Sequence, residues 1–198
     1  MSLKIKYLVL VGVLMLAGCA TAPKQVNNLC SIFEEKGGWH EDALDASEKW
    51  GSSVPVMMAI MHQESKFQAD IQPPMQWFLF IPLGRASNAY GFAQALEGTW
   101  KAYMVDTGNW TADRDDFGDA IDFIGWYNAQ SYRKNRIKRN DAYHLYLAYH
   151  EGHGGFERRT FKDKLWLKKV AKKVSAQSYR YQKQYAGCKD TLDDGWFF

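Results

Sequence analysis

The sequence predicts a mainly α protein built as a single helical domain. Three observations carry that expectation. Apolar residues recur at helical spacing along most of the chain, and β-branched runs with period-two alternation are almost absent. Hydrophobic residues make up 46% and aromatic residues 15% of the 198 positions, too apolar for a disordered chain and enough for a sizeable core. That length suits one compact domain, with no room for two of full size.

The chain opens with a segment, 1–18, that reads as removable. Lys4 and Lys6 give a positive start, and Tyr7 to Leu16 is an apolar run broken only by Gly12. The run is too short to stay in a bilayer as a permanent helix, so it reads as a signal peptide. The small residues Ala17 and Gly18 stand just before Cys19. Leu16 to Cys19 resembles a bacterial lipobox, which implies that Cys19 becomes a lipid-bearing first residue anchored in a membrane. The alternative is an ordinary secretory signal with a chance cysteine. Buried acyl chains contribute about 0.8 kcal/mol per methylene, so several would hold the protein on a bilayer. Ala20, where an aspartate would signal inner-membrane retention, implies the outer membrane, facing the periplasm. Residues 19–27 then read as a polar tether.

Two of the 25 basic residues lie in that leader, leaving 23 against 22 acidic ones. This balance excludes an overall electrostatic footprint for nucleic acid. Three cysteines exclude a four-cysteine zinc site and a disulfide-dense scaffold. With Cys19 acylated, Cys30 and Cys188 remain at opposite ends of the domain in an oxidising compartment, and they are expected to pair.

The domain occupies 28–198. Leu29, Ile32 and Phe33 predict a first helix ended by Gly37-Gly38, and Asp42 to Trp50 a second, stopped by Gly51. Ser53 suits an N-cap, and Pro55 sits in the first turn of a third helix striped by Val56, Met57, Ile60 and Met61. Glu97–Val105, Phe117–Tyr127 and Ala142–Tyr149 are helical in pattern. In the last helix Leu167, Val170, Ala171, Val174, Ser178, Tyr181 and Tyr185 share one face. One stretch does not fit: Gln72 to Ser87 carries three prolines and the run Trp77-Phe78-Leu79-Phe80-Ile81. It reads as a loop that folds over the core or walls a groove, with Trp77 and Phe80 as candidate sugar platforms.

Glu64 stands four residues after Ile60 and eight after Val56, on the apolar stripe. A carboxyl there is costly to ionise, so its pKa should rise, as a general acid requires. Alone, the position fits a helix-end glutamate reaching water even better. Three neighbourhoods reverse that balance: Glu64-Ser65, Ala89-Tyr90-Gly91-Phe92-Ala93-Gln94, and Ala148-Tyr149-His150-Glu151-Gly152. Their order and separation, over about 53–156, resemble the catalytic domain of soluble lytic transglycosylases, which has a goose-type-lysozyme-like fold with a substrate groove.

The resemblance implies cleavage of the MurNAc-β-1,4-GlcNAc bond of peptidoglycan, without a cofactor, to give 1,6-anhydroMurNAc ends. It implies Glu64 as catalytic acid/base, Ser65 as support for carboxylate and substrate, and Gly91 and Gln94 as sugar-facing positions. Tyr149 matches the tyrosine whose hydroxyl reaches the glutamate. The chain departs from the family pattern at Phe92-Ala93 and at Glu97, which read as packing exchanges, and at His150-Glu151, which bring an imidazole and a second carboxyl toward the cleft. His150, Glu151 and His153 lack His-Glu-x-x-His spacing, so no metal is assigned. His62 and His144 read as core or surface histidines. The basic clusters at 133–139 and 162–173 read as solvated helix faces. Two rival functions remain: a hydrolytic lysozyme using Asp70, Glu97 or Glu151 as second acid, and a non-catalytic peptidoglycan-binding lipoprotein.

The anchor has a direct test. Intact-mass analysis should find Cys19 as an acylated first residue, and the protein should partition into detergent. A freely soluble, unmodified chain with Cys19 internal would refute it.

Overall fold

The computed structural model describes residues 21–193. The leader and Cys19 therefore lie outside the described residues. The helices are α1 (Leu29–Glu35), α2 (Trp39–Trp50), α3 (Val54–Ser65), α4 (Glu97–Thr107), α5 (Phe117–Asn135), α6 (Ala142–Glu151), α7 (His153–Glu157) and α8 (Leu165–Asp193). A hairpin of β1 (Met75–Phe78) and β2 (Ile81–Arg85) separates α3 from α4. The expected mainly helical class is what the chain adopts.

Local chemistry fixes most of the helix ends. Asn28, Asp116 and Asp141 are N-caps whose side chains accept from Ser31, Asp119 and His144 backbone N–H groups. Ser53 occupies the N-cap position of α3 as expected, but its side chain makes no capping bond. Gly38 and Gly51, both left-handed, bound α2.

At the centre lies α3. The sequence suggested a stripe, yet every residue from Val54 to Met61 is buried. A helix apolar on all sides belongs inside a protein, and α3 packs against α2, α5, α6 and α8. Helices α2 and α5 approach closely where Gly125 lies. A Cβ there would stand 2.7 Å from Trp50 Cδ1 and 3.2 Å from Met57 Sδ. Asp122, on α5, ties the surrounding helices together. Its carboxylate accepts from Trp50 Nε1 at 2.7 Å and from the Tyr103 hydroxyl at 2.8 Å.

The expected face of α8 is observed: Leu167, Ala171, Val174, Ser178 and Tyr181 are buried. The stretch 72–87 departs from expectation. It is an antiparallel hairpin with a bulge at Gln76/Trp77, and it does not fold over the core. At its tip Leu79 is 78% and Phe80 94% exposed. The Trp77 side chain lies outside the described residues.

The N-terminal segment is clamped onto α8. Leu29 N–H donates to Gln184 Oε1 at 2.9 Å, Gln184 Nε2 to the Asn27 carbonyl at 3.2 Å, and the Tyr181 hydroxyl to the Val26 carbonyl. Cys30 and Cys188 are disulfide-bonded, their Cα atoms 6.1 Å apart across a sequence separation of 158. Thiol titration of unreduced, denatured protein should find neither cysteine free. Replacing both by alanine should cost about 2–4 kcal/mol of stability, measurable by denaturant unfolding.

Candidate active site

Glu64 lies in the last turn of α3, just before the chain leaves the helix through two left-handed residues, Lys66 (φ 55°) and Phe67 (φ 62°). Such conformations disfavour non-glycine residues, so this turn needs holding. Ser65 holds it: its buried hydroxyl donates to the Met61 carbonyl at 3.3 Å and accepts from Phe67 N–H at 3.1 Å. Phe67 itself is fully buried. Ser65 thus fixes the backbone beside Glu64 and does not face a substrate, a narrower part than the resemblance implied.

Glu64 as a residue is half-buried, but its carboxyl is closely surrounded by protein. Burial pushes its pKa up to about 7, against a hydrogen bond from Tyr146 and the Lys66 charge, both of which favour the ionised form. Among the described residues no carboxylate contributes to the rise. The Tyr146 phenol is in turn held neutral by burial and by the Glu64 charge.

The expected tyrosine is placed differently. Tyr149 feels the Glu64 charge, but its hydroxyl donates to the Ala93 carbonyl at 2.6 Å. A phenol has one proton to donate, so Tyr146 is the partner of Glu64, and Tyr149 fastens the third motif to the second. Tyr146 and Tyr149 are one helical turn apart on α6. That i, i+3 spacing, which puts both on one face, is the signal the sequence offered for Tyr146.

The second motif is a tight loop. Gly91 has φ 77°, and a Cβ there would stand 1.9 Å from the Arg114 carbonyl oxygen, so no larger residue fits. Gly91 N–H donates to the Ile71 carbonyl at 3.2 Å. The Gln94 amide nitrogen donates to the Ile71 and Gly91 carbonyls at 2.8 and 3.0 Å. Its donor side therefore holds the loop and is not free for a sugar. Phe92 is buried, edge-on to Trp39 and Phe117, which makes it a core residue and not a substrate contact. The packing exchange expected at Phe92-Ala93 is what is seen.

His150 and Glu151 are not gathered around Glu64. The Glu151 side chain, 3% exposed, is covered by Lys164 Nζ at 2.8 and 2.9 Å, the Thr160 hydroxyl and His150 Nδ1. Burial would raise its pKa, but these bonds overcome that and hold it down at about 2. It is an ion-pair latch between the end of α6 and the start of α8, not a second acid in the cleft. His150 is exposed beside it, edge-on to Trp166. His153 bonds the Ser131 hydroxyl at 3.0 Å and stacks on Tyr127. Glu97 is exposed and paired with Lys101 at 2.6 Å, so it is a surface residue and not the packing exchange expected there.

Beside the second motif lies a cavity of about 590 Å³ lined by Gln72, Arg85, Ser87, Asn88, Tyr90 and Arg114. Tyr90 donates to Asp115 at 2.7 Å, with the Arg114 guanidinium over its ring. Glu64 does not line this cavity.

A family model described as a transglycosylase SLT domain matches residues 7–188, and the chain belongs to that family. No curated protein and no solved structure matches it. The family match supports transglycosylase activity on peptidoglycan in general, and the mainly helical domain is consistent with it.

The raised Glu64 pKa has a consequence for stability. A carboxyl whose folded pKa lies above its unfolded value destabilises the fold progressively as pH rises from about 4.5 to 7. Glu64→Gln should therefore be neutral near pH 4 and stabilising at pH 8, by up to about 3 kcal/mol. Denaturant melts at the two pH values check this; equal effects at both would contradict it.

Proposed function

We propose that this protein is a lipid-anchored lytic transglycosylase that cleaves the MurNAc-β-1,4-GlcNAc bond without water. The observation that carries the reading is a single glutamate at the end of a buried helix, with pKa about 7 and a phenol as its neighbour. Half-protonated near neutrality, Glu64 can deliver a proton to the glycosidic oxygen as that bond breaks. The substrate's acetamido group stabilises the positive charge at the sugar. The Glu64 carboxylate then takes the proton of the muramic 6-hydroxyl as its oxygen bonds to the anomeric carbon, which restores the acid. That hydroxyl is already held in place and competes at high effective concentration against water. Tyr146 steadies the ionised form between the two proton transfers. Ser65, Gly91, Gln94 and Tyr149 act by fixing the backbone around the reacting groups.

A hydrolytic lysozyme commonly uses a second carboxyl to activate water. Glu151 is engaged with Lys164 and Glu97 with Lys101, while Asp70 is exposed and does not act on the Glu64 carboxyl, which favours the intramolecular route. The cavity beside the second motif, with Gln72, Ser87 and Asn88 in its wall, offers polar groups suited to sugar hydroxyls. The leader and Cys19 would place the domain on the outer membrane, facing the periplasm and its peptidoglycan.

Digestion in oxygen-18 water tests the chemistry. The muramic product should be the unlabelled 1,6-anhydro form by mass spectrometry. Glu64→Gln should lower its yield by roughly 10²–10⁴-fold, with folding retained and Glu151→Gln milder. Label at the anomeric carbon would establish hydrolysis, and binding without cleavage would leave a wall-binding lipoprotein.

A further inference from the structure

The far side of α3 carries a second polar hollow. Ala59, His62 and Gln63 share one face of the helix, Lys66 caps its end beside them, and Glu64 projects from a different face. Against that face, α8 contributes Lys173 and Arg180, and the end of the tether contributes Asn27, enclosing a cavity of about 180 Å³. Among the described residues no carboxylate lines it. Among the described residues, none of Lys66, Lys173 and Arg180 is in an ion pair. Arg180 donates to Gln177 Oε1, which orients the guanidinium in advance.

We propose that this hollow is a phosphate-binding site, distinct from the catalytic carboxyl. Three cations line the hollow, and an oxyanion among them offsets their mutual repulsion. Lys66 feels that repulsion: burial and then Lys173 hold its pKa below the usual value, with the Glu64 charge opposing them only in part. His62 is held down at about 4 by burial, Lys66 and Arg180, so it stays neutral at physiological pH. Donors converge from α3 and from two turns of α8, which suits a multivalent, tetrahedral acceptor. Asn27 is eight residues from Cys19, so the cavity lies within about 26–29 Å of contour length from that residue. A phospholipid headgroup is thus one source of the phosphate and free phosphate the other. The chemistry of the site does not depend on the catalytic reading.

The test uses the mature chain carrying Cys19→Ser, so that no lipid contributes. It is titrated calorimetrically with inorganic phosphate and sedimented with phosphatidylcholine vesicles with and without phosphatidylglycerol. Lys173→Gln/Arg180→Gln removes two exposed pocket cations. Lys169→Gln/Lys172→Gln removes the same charge from exposed positions outside it and serves as control. Phosphate binding that weakens roughly tenfold or more in the pocket variant and persists in the control supports a free-phosphate site. Vesicle binding with the same pattern, and no response to inorganic phosphate, supports a headgroup site. Binding to neither probe, or losses that are equal in the two variants, overturns the proposal. Circular dichroism verifies that each variant is folded, and the cleavage assay reports separately on Glu64.

Discussion

The structure depends on the removal of water from one helix. From Val54 to Met61, α3 has no exposed side chain, and each large apolar residue so buried contributes roughly 1.5–3 kcal/mol. Four other helices exist in their observed places because they close around it. The same exclusion continues to the last turn, where it reaches a carboxyl. There it no longer stabilises; it opposes ionisation and makes Glu64 hold its proton near neutrality. Cohesion of the core and acidity of the site are two results of one desolvation.

Around that carboxyl, the motif residues divide by task. Ser65, Gly91 and Gln94 direct most of their polar capacity to backbone groups. They hold a left-handed exit from α3 and a loop that approaches Arg114 too closely for any side chain. Tyr149 bolts that loop to α6 through Ala93. This rigidity suits the proposed reaction, in which one group serves first as acid and then as base without moving. Burying neutral phenols nearby supports that cycle, because they add hydrogen bonds without adding charge.

Much of this was legible in the sequence. The helices announced themselves by spacing, and the expected face of α8 is buried at Leu167, Ala171, Val174, Ser178 and Tyr181 and partly so at Val170 and Tyr185. Glu64 stood out because a charged residue continued an apolar series. The hairpin was hidden because its strands are short and interrupted by Pro82 and Gly84, with a bulge instead of clean alternation. Tyr149 was read as the partner of Glu64 because sequence cannot show a competing acceptor; the Ala93 carbonyl, 56 residues earlier, takes its proton. Glu151 misled for a similar reason. Lys164 and Thr160 lie beyond a turn, and their closure over the carboxyl depends on how α7 folds back.

The clamp between the two ends of the domain bears on how the chain assembles. Helix α1 finds its principal neighbour in α8, the last of the described elements in chain order. A chain made amino end first must therefore keep α1 without that neighbour until α8 follows. Such long-range closure slows folding. It also makes completeness a condition of order: a molecule truncated before α8 loses the lid of its core along with its tail, and quality control would meet it as an open, apolar intermediate.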